Sequence, residues 1–155
     1  MRNKQKGFSL IELLIVVAII LIIAAIAIPN LLRSKMAANE ASAVGSMRTL
    51  NTACVSYSTT YGGYPASIAA LGPSTPATSA AADLIDSVLT TTNKSGYTFA
   101  FTPGAAVGGA IQTYTIAATP ITPGTTGQRG FFTDQSGVIR ADAAGTATVT
   151  STPIS

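Results

Sequence analysis

The sequence predicts an α+β chain in which a long N-terminal helix, its first half spanning a membrane, packs on a four-stranded antiparallel sheet. Three observations carry that expectation. Residues 13–28 are sixteen consecutive apolar residues. Residues 37–61 repeat apolar side chains at helical spacing, and residues 97–142 alternate them at strand spacing between turn signals. At 155 residues the chain holds one globular head and one appendage.

The apolar run comes first. Extended back to Phe8 it gives 21 residues whose only polar members are Ser9 and Glu12. As a helix rising about 1.5 Å per residue it covers about 31 Å, close to the hydrocarbon thickness of a bilayer. A helix apolar on every side has no place inside a domain this small, so residues 8–28 read as a transmembrane segment. Arg2, Lys4 and Lys6 precede it and Arg33 and Lys35 follow it, a bias that leans toward an N-terminus on the cytoplasmic side. Glu12 is the informative residue. A carboxylate within a membrane helix costs about 2.5–3.5 kcal/mol on insertion scales, so it calls for a positive partner. The competing reading is a removed secretory signal, with Ala25-Ile26-Ala27 as the cleavage site and a soluble product beginning at Ile28. The run is long for such a signal, and Glu12 has no use in one.

Pro29 either kinks the helix or opens a new one, and residues 29–61 form its second half. Ala37, Ala41, Val44, Met47, Leu50, Cys54, Tyr57 and Tyr61 mark one apolar face, with Lys35, Glu40, Arg48 and Asn51 elsewhere. Gly62-Gly63 ends the helix, which over residues 8–61 would measure about 80 Å if continuous. Cys54 is expected as a buried thiol, and Tyr57 and Tyr61 as core packing rather than a path for electrons. Residues 62–96 form a connecting region with two short helices, one capped by Ser67 over 68–71 and one carrying Leu84, Ile85, Val88 and Leu89. The sheet occupies 97–142. Its strands are marked by Tyr97, Phe99 and Phe101, by Tyr114 and Ile116, by Phe131-Phe132 and by 138–140, the last two joined by a turn at Asp134-Gln135-Ser136-Gly137. The tail, 143–155, is expected to be flexible or an edge strand.

Composition narrows the function. The formal net charge is +3, all of it supplied by Arg2, Lys4 and Lys6, because from Phe8 onward the charges balance. The body therefore carries no basic footprint for nucleic acid. The absence of histidine removes the commonest general base and metal ligand, and a single cysteine permits no intrachain disulfide. No catalytic residue, metal or cofactor is assigned. Asp134, Asp142 and Ser136 are the residues an anchored enzyme would have to use as acid, base and nucleophile, yet turn chemistry accounts for all three. The two aspartates are too few for a calcium site needing 6 to 8 oxygens. Asn93-Lys94-Ser95 matches a glycosylation sequon and reads as chance.

Lys6-Gly7-Phe8-Ser9-Leu10-Ile11-Glu12, followed by the apolar run, resembles the class III signal of type IV prepilins and type II secretion pseudopilins. The resemblance implies a leader peptide, 1–7, removed between Gly7 and Phe8 by a prepilin peptidase that also methylates the new N-terminus at Phe8. It further implies that Glu12 neutralises the Phe8 amine of a neighbouring subunit during assembly, and that Pro29 is a helix kink. Gly63-Tyr64-Pro65 and the Phe131, Asp134, Gly137 spacing look like those of pilin and pseudopilin heads, whose fold lays a long helix across a four-stranded sheet. This chain departs from that pattern in lacking a second cysteine, an acidic calcium loop and a glycine within the anchor, where Leu21 and Ala24 stand. The function implied is that of a structural subunit, not an enzyme. It would be held in the bacterial inner membrane, N-terminus in and C-terminus out, and polymerised with copies of itself by a pilus or secretion assembly platform. The weakly charged, threonine-rich head favours a surface pilus over a periplasmic pseudopilus. A membrane-anchored or exported binding module is the alternative of another class.

Overall fold

The computed structural model describes residues 8–154, in two units divided between Lys35 and Met36. The leader, including Gly7, lies outside the described residues. A single helix, α1, is assigned over Leu10–Tyr61 with Pro29 inside it. Proline has no N–H to offer, so the carbonyl of Ala25 loses its intrahelical donor there. The helix ends where Gly62 adopts φ +80° and donates its N–H to the Ser58 carbonyl at 2.9 Å, a left-handed stop that glycine supplies without strain.

In the unit that begins at Met36, α1 buries Ala43, Met47, Leu50, Ala53, Cys54 and Tyr57 in one hydrophobic core with Tyr97, Phe99, Tyr114, Ile116 and Phe131. The buried face is rotated from the one the apolar spacing marks. Ala37, Ala41 and Tyr61 are exposed, whereas Glu40 and Asn51 are buried. Periodicity misses these two because it counts polarity alone. Both are accepted into the core side of the helix because each meets built-in partners on the opposite wall.

The outward hydroxyls of α1 turn back on the helix. Thr49, Thr52, Thr59 and Thr60 donate to the carbonyls of Gly45, Arg48, Val55 and Ser56, four residues earlier in each case.

The main sheet has six strands rather than the expected four. They are β1 (Asn93–Lys94), β2 (Tyr97–Pro103), β5 (Tyr114–Pro120), β6 (Gly130–Asp134), β7 (Arg140–Asp142) and β8 (Thr152–Pro153), neighbours in that order and antiparallel throughout. A separate hairpin pairs β3 (Ala106–Val107) with β4 (Ala110–Ile111). The two extra strands of the main sheet are the edges, β1 and β8, each two residues long. So short a segment cannot display a two-residue period, so alternation does not reveal β1, while β8 is the edge strand expected as one of the two alternatives for the tail, 143–155. The central strands do display it: β5 alternates buried Tyr114, Ile116, Ala118 and Pro120 with half-buried residues. The β6–β7 turn closes as expected at Gly137, φ +74°, with its N–H on the Asp134 carbonyl at 2.9 Å.

Between helix and sheet lie a 3-10 turn, Ile68–Leu71, and a short helix α2, Ser87–Thr90. Ser67 stands at the N-cap of the 3-10 turn but makes no side-chain cap bond. Asp86 is the functioning cap, accepting the Leu89 N–H at 2.8 Å. Leu84 and Ile85 precede this helix instead of belonging to it. Their amides, with those of Ala82 and Asp83, are taken by the carbonyls of Ala70, Leu71 and Gly72 at 2.8–3.1 Å.

Candidate processing and assembly segment

Phe8 is the first described residue and is 80 % exposed. Ser9 stands just before α1, and Glu12 is the third helical residue. The Ser9 N–H donates to Oε2 of Glu12 at 2.9 Å, while the Ser9 carbonyl accepts the Leu13 N–H at 3.2 Å. This is one arm of a capping box, in which a glutamate reaches back to satisfy an amide that the helix leaves unpaired. The carboxylate also gains from the positive end of the helix dipole. Within one chain, then, the partner of Glu12 is an uncharged amide, and no cation lies within ion-pair distance among the described residues. The signal for this bond, serine followed three residues later by glutamate, stands in the sequence and went unread there.

Among the described residues, none covers the apolar part of the helix up to Ile28. Every large apolar side chain over residues 10–28 is exposed, from 45 % at Val17 to 76 % at Leu10. The helix is long and apolar enough to cross a membrane. By apolar area alone, each of these leucines and isoleucines would gain about 1.5–3 kcal/mol from burial.

The head builds its polar contacts on two helix residues. Glu40 accepts the backbone N–H groups of Gln128 and Arg129 on one oxygen, at 2.9 and 3.1 Å, and Nε of Arg129 on the other at 2.8 Å. Burial pushes its pKa upward, but the two amides and the guanidinium outweigh that and hold the carboxyl below its ordinary value. Asn51 accepts from the Tyr114 hydroxyl at 3.0 Å and donates to Oγ1 of Thr133 at 2.9 Å, joining α1 to β5 and β6. Cys54 is fully buried beside these groups, and desolvation pushes its thiol up to about 12. Tyr57 packs in the core and donates to the Ser79 carbonyl at 2.6 Å, its ring 4.6 Å from that of the exposed Tyr61.

Asp134 and Ser136 share one turn, and Asp142 stands apart from them. Asp134 accepts the Ser136 N–H at 2.9 Å, and Asp142 accepts the Ala144 N–H at 2.7 Å. Asp142 is paired with Gly130, so the two aspartates lie at opposite ends of β6, each holding its own turn.

The family model described as the prokaryotic N-terminal methylation motif matches residues 2–28. A type IV wide pilus major component, PilA4 of Thermus thermophilus, is 65 % identical over 40 residues, 26 % of this chain and 30 % of that protein. A type IV major fimbrial protein, FimA of Dichelobacter nodosus, is 52 % identical over 58 residues, 36 % of this chain and 37 % of that protein. The type II secretion system core protein G of Dickeya chrysanthemi is 31 % identical over 81 residues, 49 % of this chain and 53 % of that protein. The chain thus spans about a third of the length of the pilus proteins it matches. No solved structure matches it significantly. The chain carries the prokaryotic N-terminal methylation motif, and over stretches of 40 to 81 residues it is similar to type IV pilins and to a type II secretion core protein.

Proposed function

We propose that this chain is a structural subunit of a type IV pilus-like filament and not an enzyme. In this reading the leader 1–7 is cut between Gly7 and Phe8 by a prepilin peptidase that methylates Phe8. Residues 8–28 then hold the subunit in the inner membrane, N-terminus in and C-terminus out, until an assembly platform adds it to a fibre of identical copies. The observation that carries the reading is the uncovered apolar helix joined directly to the methylation motif. A membrane covers such a helix before assembly, and neighbouring helices cover it afterwards. Pro29, with its missing backbone donor, is where the helix would bend to fit either setting.

Glu12 is the assembly acid in this mechanism. Cleavage creates an ammonium at Phe8 that the precursor lacks. Two opposite charges that are each costly in the bilayer then gain by meeting across a subunit contact. The Ser9 amide satisfies the carboxylate until that happens. Glu12→Val is expected to leave a processed, membrane-held protein that is scarcely recovered in sheared fibres. Fibres of normal yield and length built from the variant alone would sink the assignment.

A second reading, a pseudopilin of a type II secretion system, is supported by the similarity to core protein G, which extends over 49 % of this chain. Negative-stain microscopy of cells with and without the chain separates the two, since surface fibres that depend on it exclude a purely periplasmic role.

A further inference from the structure

Among the described residues the one ion pair is Glu40 with Arg129. From Phe8 onward the other charges balance in sign, five cations against five anions. Two places concentrate them. Just past the apolar run, Leu31, Leu32, Arg33 and Lys35 are all exposed, two apolar side chains beside two cations. In the head, Asp83, Leu84, Asp86 and Val88 are all exposed, two apolar side chains beside two anions.

The acidic segment is a built platform and not a loose loop. Ala82, Ile85 and Leu89 are buried beneath it. Four consecutive amides, those of residues 82–85, are bonded to the carbonyls of 70–72. Asp83 is fixed in the left-handed region, φ 54°, and its carboxylate has no hydrogen-bond partner among the described residues. Asp86 spends one oxygen on its cap, accepting the Leu89 N–H at 2.8 Å, and is itself exposed. The cationic segment has an anomaly of its own. In the orientation proposed above Arg33 and Lys35 lie on the exported side of the membrane, where basic residues weaken the topological bias set by Arg2, Lys4 and Lys6. Insertion gains nothing from them there.

We propose that the segment 31–35 of one copy docks against the segment 83–88 of a neighbouring copy, pairing Arg33 and Lys35 with Asp83 and Asp86 while Leu31 and Leu32 meet Leu84 and Val88. The proposal rests on the filament reading and specifies one of its contacts. The occupant is a second copy because each segment supplies what the other lacks, two charges of opposite sign and two uncovered apolar side chains. Contact between two different patches is heterologous and so does not close a two-fold dimer; where its rotation does not close a ring it propagates into an open helix, as a filament needs. Pairing of opposite charges also fixes the register of contacts that apolar packing leaves free to slide.

The test compares sheared fibres from cells making the wild-type chain, R33E/K35E, D83N/D86N and the quadruple variant. Asparagine tolerates the left-handed turn and keeps the cap, so the acidic platform keeps its shape. R33E/K35E sets four carboxylates together and is expected to lower fibre yield about tenfold or more. The quadruple variant removes that repulsion and is expected to recover to the yield of D83N/D86N within about threefold. A quadruple variant as poor as R33E/K35E, or wild-type yield from R33E/K35E, overturns the contact. So does loss of R33E/K35E from the membrane fraction before assembly, which would assign the cations to lipid headgroups. Carbodiimide coupling of wild-type fibres supplies a second measurement independent of variant folding. The contact requires a Lys35 cross-link to Asp83 or Asp86 between subunits, detected by mass spectrometry, and its absence from efficiently coupled fibres counts against it. A wild-type chain that builds no polymer fails the filament reading itself, whereas fibres with normal dependence on Glu12 and no dependence on these charges fail only the contact.

Discussion

Glu40 shows how a charged residue becomes part of a core. Its carboxylate is tied to two amides and a guanidinium of the segment that follows β5, so deprotonated Glu40 is the form the fold prefers and its folded pKa lies below the ordinary 4.5. Its contribution to stability is complete above that value and is lost as pH falls through the folded pKa. Thermal melts of the full chain in detergent should therefore show stability falling as the medium is acidified below 4.5. Glu40→Gln, which keeps the shape but not the charge, should be less stable at neutral pH and show a shallower acid slope; an unchanged slope would assign the acid sensitivity to other carboxylates. Glu40 and Asn51 also mark the limit of what the sequence made legible. Met47, Leu50, Cys54 and Tyr57 announced the helix face through spacing, but the partners that admit Glu40 and Asn51 lie 63 to 89 residues away along the chain. No local pattern encodes a bond over that separation. Glu12 differs, since its partner is three residues away and the serine–glutamate spacing was there to be read.

At the level of elements, strong local patterns were visible and weak ones were not. The long helix, the strands led by Tyr97 and Tyr114, and the turn at Gly137 each repeat a signal over several residues. The edge strands β1 and β8 exist only because a neighbour offers hydrogen bonds to them. The tight approach of β6 to the chain beyond β7 is equally hidden. A Cβ on Gly130 would run into the backbone of Gly145 and Thr146, whereas one on Gly45, on the open side of α1, would meet nothing within 4 Å. These two glycines predict opposite outcomes. Gly130→Ala must displace main chain and should cost about 1–3 kcal/mol, while Gly45→Ala, in an exposed helix interior, should gain about 0.5–1 kcal/mol. Denaturant unfolding checks both, and equal effects would contradict the close approach.

Taken whole, the molecule divides its apolar surface between two solvents. The core of the unit beginning at Met36 is closed around Met47, Leu50, Tyr97, Tyr114 and Phe131, while the apolar run of the other unit has no cover of its own. A fragment starting at Met36 should therefore stay dispersed and melt cooperatively without detergent, and the chain from Phe8 should require detergent or lipid. Aggregation of the fragment at the same concentration would show that the helix is needed to complete the fold. The four pinned amides at 82–85 give that unit one further property. A segment without helix or strand assignment has all four of these N–H groups bonded at 2.8–3.1 Å, so slow amide exchange is expected of it even though Asp83 and Leu84 are exposed. A surface of this kind arrives at an encounter already ordered. The conformational entropy that a mobile loop forfeits on contact was surrendered here when the chain folded, and association can begin from a lower barrier.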